Sequence, residues 1–302
     1  MYKKYSKITA VVFVLPALIV FILTFLYPAF RTGIMSLFYV KTISDSFANW
    51  KFVGLENFIY LFNSELFVRS LLNVFLIWII GGIIVFSIAL FFASVITFSN
   101  IRFKSFFKTV IYMPNIISSV ALATMWIHYF FQPDYGFLKS FFTLIGLNSL
   151  AQVKWASPDY IFIAILTAYS FSNIGYYMVM FSASMESIPA SLYDSASIDG
   201  ANSFDKFFNI TFPMILGAVK SAIVIWSVES FGIFVWSQIF SPLFALPGTV
   251  TPKVYMYTQL FGSEVTISER NAGLGASVCV ILSIIALISF LLVNLLIKDK
   301  NK

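Results

Sequence analysis

The chain has 302 residues, and its composition excludes an ordinary soluble protein. Hydrophobic residues make up 60% of the sequence and charged residues only 11%, whereas about a quarter of an average soluble domain is charged. Lysine and arginine outnumber the acidic residues by 19 to 13, but they lie scattered near the ends of apolar runs, which argues against a nucleic-acid-binding protein.

Apolar runs recur along the chain, and each is long enough to cross a hydrocarbon core of about 30 Å as a helix. The runs are continuous rather than alternating, which favours helices over a closed barrel. The sequence therefore predicts an all-α membrane protein with one transmembrane domain over residues 1–302. It has six transmembrane helices, at about 8–28, 70–97, 110–131, 160–184, 208–237 and 274–297.

The distribution of basic residues predicts the orientation of these spans. Six spans place both termini on one side of the membrane. That side and its loops hold ten Lys and Arg in roughly 47 residues, against eight in roughly 105 residues on the other side, and cytoplasmic loops carry the excess of such residues. Both termini, and the polar segment after the fourth span, are therefore predicted to be cytoplasmic.

Three short motifs lie in the first half of the chain. Residues 52–58 read FVGLENF, residues 71–73 read LLN, and residues 132–136 read QPDYG. The first belongs to an amphipathic element between spans one and two that is too short to form a domain. In the third, proline followed by glycine is a turn signal.

Spans four and five carry polar side chains that are uncommon on a lipid-facing helix. In span four they favour the interior of the helix bundle, where they serve either helix packing or a substrate path. The candidates for that path are Ser170, Asn173, Tyr176 and Tyr177. In span five, Glu229 lies deep enough that a charged carboxylate must face water, bind a partner or be protonated. It is a further path candidate, and a structural hydrogen bond to a neighbouring helix is the alternative.

A polar segment over residues 186–213 separates spans four and five, and it reads as helix, turn, helix. Ser187 or Pro189 is expected to start the first helix. Gly200 is expected to allow the reversal that follows, because glycine adopts a left-handed backbone without penalty. An apolar stripe with a spacing of four residues is predicted to face a partner, and it consists of Ile188, Leu192 and Ala196.

This segment resembles the cytoplasmic coupling loop of permease subunits in binding-protein-dependent ABC importers. That loop carries Glu-Ala-Ala, a glycine four residues later, and Ile-x-Leu-Pro after nine more residues. Here Asp194, Ser195 and Ala196 are followed by Gly200 and by residues 210–213, ITFP, at the same spacing. The three motifs in the first half are similar to "VGLxNF", "LxN" and "NPDYG" of the carbohydrate-uptake branch, the maltose and multiple-sugar type.

The resemblance implies a transmembrane subunit of an ATP-driven importer in a bacterial plasma membrane. It implies a second permease subunit, two ATPase subunits that bind the ATP, and an extracellular binding protein that delivers a sugar or oligosaccharide. By the same resemblance, one set of residues docks the ATPase: Leu192, Tyr193, Asp194, Ser195, Ala196, Gly200, Ile210 and Pro213.

Signatures of catalysis are absent from the sequence. Residues 217–221, GAVKS, lack the Gly-Lys pair of a phosphate-binding loop, and the single histidine, His128, cannot form a paired metal site. The single cysteine, Cys279, excludes a cysteine-based metal site. The chain is therefore predicted to have no enzymatic activity, metal or cofactor of its own. An ion-coupled secondary transporter that uses Glu229 is the alternative, although no internal repeat of the kind common in such folds is evident.

Overall fold

A computed structural model describes residues 7–99, 102–241, 246–262 and 270–297, and nearly all of their regular structure is helical. The α-helices, in chain order, are α1 Lys7–Phe21, α2 Tyr27–Met35, α3 Glu56–Asn63, α4 Glu65–Leu76, α5 Gly82–Phe98, α6 Lys104–Ile116, α7 Ser119–Met125, α8 Phe137–Leu144, α9 Asn148–Ala151, α10 Ile161–Glu186, α11 Ala190–Ile198, α12 Ser203–Lys206, α13 Phe212–Met214, α14 Leu216–Phe231, α15 Val235–Phe240, α16 Pro252–Phe261 and α17 Ala272–Leu296.

Shorter elements connect several of these helices. A 3-10 turn covers Phe47–Asn49, and π-helical turns occur at Ile22–Leu26, Ile77–Gly81, Trp126–Phe130 and Phe207–Thr211. Strands β1, Phe38–Tyr39, and β2, Lys51–Phe52, form a small antiparallel ladder in which Phe38 lies opposite Phe52.

Within the described ranges, five helical stretches are long and apolar enough to cross a membrane: Val11–Met35, Glu65–Phe98, Ile161–Glu186, Leu216–Phe240 and Ala272–Leu296. They confirm the prediction of a helical protein with several membrane spans, and they make the first two spans longer than the sequence indicated. A sixth candidate is the pair Lys104–Ile116 and Ser119–Phe130.

This third span is broken, whereas the sequence predicted one span over 110–131. Its two helices meet at a bend of 96°. Pro114 lies in the last turn of α6, where it cannot donate the usual backbone hydrogen bond. Ile117 and Ser118 then adopt extended backbone angles, with ψ of 139° and 132°. Two non-helical residues therefore interrupt the middle of an apolar run.

The chain forms two compact units, and the larger contains residues 66–254. In this unit α10 packs against α5, α6 and α14. Gly175 of α10 allows the backbone of α6 to come close, because an added Cβ would overlap the Ile111 carbonyl oxygen and lie 2.6 Å from the Tyr112 Cα. Trp226 is the largest of the fully buried side chains in the described part of the chain, and its Nε1 donates to the Trp78 carbonyl over 2.8 Å.

Buried asparagines explain two of the sequence motifs. In the smaller unit, which contains residues up to Glu65 and Tyr255–Ser283, Asn57 of the FVGLENF motif donates to the carbonyls of Ser36 and Phe38 over 2.9 and 3.0 Å. In the larger unit, Asn73 of the LLN motif donates to the carbonyls of Pro247 and Val250 over 2.7 and 2.9 Å. Both motifs therefore fix irregular backbone segments.

Candidate functional site

The polar segment 186–213 contains a separate short helix, α11. It begins at Ala190 with Pro189 at the N-cap, and no side chain caps it. Ser187 does not start this helix. It lies at the end of α10, and its hydroxyl donates to the Ser184 carbonyl. The expected reversal at Gly200 is confirmed, since its φ is +79° and no other group lies within 4 Å of a Cβ built there.

The second half of the polar segment is held to the first by side chains. Asn202 and Asp205 form a capping box at the start of α12, which satisfies free N–H groups of that turn. The Lys206 ammonium donates to the Ser197 hydroxyl over 2.7 Å. Further on, Ile210 is half-buried in the π-helical turn, and Pro213 in α13 is exposed.

Tyr193 is the residue that anchors α11 to the rest of the protein. Its hydroxyl lies 2.9 Å from the Thr211 hydroxyl, and its ring centroid lies 5.0 Å from that of Phe98 at the end of α5. Next to Tyr193 on the helix, Leu192 is 41% exposed, and Asp194 and Ser195 are also exposed. Of the apolar stripe predicted from the sequence, Leu192 is thus exposed, whereas Ile188 and Ala196 are half-buried.

A second feature is a cavity of about 480 Å³ beside the break in the third span. Asn115 and Ser119 line it from either side of the break, and Ser172 and Asn173 line it from α10. The cavity also exposes the side chain of Glu229 on α14. Polar groups from three separate helical stretches therefore converge at one place within an apolar bundle.

Tyr177 positions the carboxylate of Glu229 from behind. Its side chain is fully buried, and its hydroxyl donates to Oε2 of Glu229 over 3.1 Å. The other carboxylate oxygen, Oε1, has no hydrogen-bond partner among the described residues. The structure thus combines the two sequence interpretations of Glu229, because the carboxylate accepts a structural hydrogen bond and also faces a cavity.

The remaining residues predicted to lie on a path divide between two places. Asn173 lines the cavity, and its amide donates to the Tyr169 carbonyl. Ser170 is buried against Gly81 instead, and its hydroxyl has no hydrogen-bond partner in the described part of the chain. Tyr176 packs its ring on Tyr177. The cavity therefore brings together Asn173 and Glu229 but not Ser170 and Tyr176.

Several residues of the cavity wall were missed by the sequence analysis. Lys253 is the most important, because it gives the wall a positive charge. It lies at the start of α16, after a segment rich in proline and glycine. Asn115 carried a usable signal, since it is an amide directly after a proline in the middle of an apolar run.

Comparisons with known proteins agree on one family. The family model described as "Binding-protein-dependent transport system inner membrane component" matches residues 86–302. A probable ABC transporter permease protein of Pyrococcus horikoshii is 30% identical over 282 residues, which cover 89% of this chain and 92% of that protein. The diacetylchitobiose uptake system permease protein of Streptomyces coelicolor is 26% identical and covers 82% of this chain and 71% of its own length.

A solved structure shares the fold over nearly the whole chain. It is a chain of a bacterial alginate ABC transporter in complex with an alginate pentasaccharide-bound periplasmic protein. The TM-score is 0.80, with 99% of each chain covered and 19% sequence identity.

Proposed function

The chain belongs to the family of inner membrane components of binding-protein-dependent transport systems, and we propose that it is a permease subunit of an ATP-driven importer for a sugar or oligosaccharide. It forms the membrane pathway together with a second permease subunit. Two separate ATPase subunits bind and hydrolyse the ATP, so this chain needs no nucleotide or metal of its own. An extracellular binding protein delivers the solute.

The polar segment 186–213 carries this proposal. It keeps the spacing of the coupling loop, and it folds as a helix that ends in a left-handed glycine. Leu192, Asp194 and Ser195 lie exposed on α11, where an apolar side chain, a carboxylate and a small residue are available to a partner. A docking ATPase would cover Leu192 and place a cation near Asp194.

The contacts of Tyr193 explain how a movement of the ATPase would reach the membrane. Its ring packs on Phe98 at the end of α5, and its hydroxyl bonds to Thr211 just before α13 and α14. A push on α11 is thereby passed to the second and fifth spans at once. Since the backbone of a helix is stiff, a displacement of α11 as a unit would open or close the space between those spans.

Orientation and substrate follow from the same assignment. The broken third span brings the number of spans to six. With both termini in the cytoplasm, α11 then lies on the cytoplasmic side and the cavity lies within the membrane. The solute class is supported by relatives, because one is named for diacetylchitobiose uptake and the similar structure for alginate. The comparisons give no support to the alternative of an ion-coupled carrier using Glu229.

Co-purification tests the proposal. The tagged chain is extracted from its native membrane, and its partners and ATPase activity are measured for wild type, Gly200→Ala and Asp194→Lys. Gly146→Ala is the matched control, because Gly146 also has a positive φ, +78°, with open space around it, but it lies outside the polar segment.

Wild type and Gly146→Ala are expected to retain an ATPase and a second permease. Gly200→Ala and Asp194→Lys are expected to lose the ATPase. A side chain at the left-handed position 200 distorts the turn, and a lysine at position 194 reverses the charge that contacts the ATPase. A well-folded wild-type chain that never brings down an ATPase would refute the importer assignment.

A further inference from the structure

We propose that the cavity beside the broken third span selects neutral, polyhydroxylated solutes, and that Glu229 and Lys253 are the residues that set this specificity. The inference rests on the proposed function, in which this cavity belongs to the solute pathway. It goes further by assigning a charge class to the solute. It also gives a role to Lys253, which no motif indicated.

Lys253 supplies a positive charge to the cavity wall. Its ammonium lies at the carboxyl end of α14, 3.1 Å from the position that a Cβ on Gly232 would occupy. The carbonyl groups at the end of a helix attract a cation, because they carry the negative end of the helix dipole. Gly232 is needed at this point, since a side chain there would meet both the ammonium and the Val228 carbonyl.

Glu229 supplies the opposite charge on the same cavity. Its carboxylate is held by the Tyr177 hydroxyl at one oxygen, which leaves the other available to accept hydrogen bonds from a solute. Glu229 and Lys253 do not form an ion pair with each other. Within the described residues, the one ion pair joins Lys108 to Glu186. Among the described residues that line the cavity, Glu229 and Lys253 are the charged ones and neither has an ion-pair partner, so an ionised carboxylate and an ammonium give this lining a net charge of zero.

The break in the third span adds neutral hydrogen-bonding groups. Backbone that is not helical is tolerated at membrane depth only where it is buried in protein or lines an aqueous cavity, as in transporters with broken helices. Ile117 within the break and Ser119 directly after it line this cavity, and so do Asn115 and Ser172. These groups suit the many hydroxyls of a sugar, which both donate and accept.

The balance of charge decides which solutes are favoured. Moving a charged solute from water into a site within the membrane costs free energy, which only a lining of opposite net charge offsets. A neutral polyol avoids that cost, and its hydroxyls use the carboxylate as acceptor and the ammonium as donor. Removing either charged group would leave a lining with a net charge, and that lining would attract a solute of the opposite sign.

Direct binding to the purified permease complex tests this without the selectivity of the binding protein. Trp236 lines the cavity, so tryptophan fluorescence reports occupancy. The probes are maltotriose, which is neutral, trigalacturonate, which is anionic, and a glucosamine trisaccharide with quaternised amines, which is cationic at neutral pH. The variants are Glu229→Gln, Lys253→Met and Glu229→Asp, with Lys220→Met as the control, because Lys220 lies on the same helix outside the cavity lining.

Wild type, Glu229→Asp and Lys220→Met are expected to bind the neutral probe best. Relative to it, Glu229→Gln should gain about tenfold in affinity for the anionic probe, and Lys253→Met about tenfold for the cationic probe, as expected for one unbalanced charge at short range in a partly shielded site. Folding of each variant is verified by size-exclusion elution and by retention of the ATPase.

Two outcomes would overturn the inference while leaving the importer assignment intact. One is a wild-type complex that retains its ATPase but binds no neutral probe. The other is a pair of folded charge variants whose preference among the three probes equals that of wild type. Loss of the ATPase from the wild-type complex would instead refute the proposed function.

Discussion

Gly175→Ala tests the close approach of the fourth span to the first half of the broken span. The new Cβ would overlap the Ile111 carbonyl oxygen and lie 2.6 Å from the Tyr112 Cα, whereas ordinary contacts are 3.4–4 Å, so the two backbones must separate by at least about 0.8 Å. Because backbone atoms cannot rotate aside, we expect a cost of about 3 kcal/mol, at the upper end of the range for overpacked cores. Replacing glycine by alanine within a helix recovers about 1 kcal/mol, which leaves a net loss of about 2 kcal/mol.

The measurement is the free energy of unfolding in detergent, followed by tryptophan fluorescence. Gly33→Ala is the control, because Gly33 is also helical and a Cβ there would meet nothing within 4 Å. That variant should be as stable as wild type or more stable by up to about 1 kcal/mol. If Gly175→Ala proves as stable as the Gly33 variant, the backbones of α6 and α10 do not meet as described.

Two further substitutions test other parts of the chain. Asn73→Leu leaves the carbonyls of Pro247 and Val250 without their donor, so it should lower the free energy of unfolding by about 2–3 kcal/mol and increase proteolysis near that loop; unchanged stability and cleavage would contradict the role of Asn73. In the turn before β2, hydrogen bonds from Thr42 lower the pKa of the Asp45 carboxyl. The turn is therefore stabilised above the unfolded pKa of about 3.9 and loses that stabilisation as the pH falls through the lower folded value. Cleavage by pepsin in this segment should rise with acid in wild type but not in Asp45→Asn, and equal pH dependence in both would contradict this assignment.

The membrane spans could be predicted because their signal is local. A run of apolar residues long enough to cross the bilayer is visible in any window of the sequence, and the helical stretches over 161–186 and 272–296 lie within a few residues of the predicted spans. The break in the third span gave no such signal, because an apolar run has the same hydropathy whether its helix is continuous or interrupted. Only Pro114 hinted at it, and proline inside a membrane helix produces a bend of no fixed size.

The polar segment shows the same division between local and tertiary signals. The turn at Gly200 was predictable, since a left-handed residue at the end of a helix favours glycine. The inward face of α11 could not be predicted, because Tyr193 points inward through contacts with Phe98 and Thr211, which are distant in sequence. Lys253 was missed for a similar reason, since its importance depends on the end of a helix some twenty residues earlier.

The π-helical turn at Ile77–Gly81 has a consequence for changes in chain length. A π-helical turn holds one residue more than the α-helical turn it replaces. The extra residue is accommodated within that turn, so the side chains of α4 and α5 point in the same directions as in a continuous α-helix one residue shorter. Deleting a single residue within 77–81 would therefore restore a regular helix and leave α4 and α5 oriented as they are. The same deletion in the middle of α5 would rotate the remainder of the span by about 100°, turning its buried side chains towards lipid. The second span can thus tolerate the loss of one residue at the π-helical turn Ile77–Gly81, which lies next to the buried Trp226.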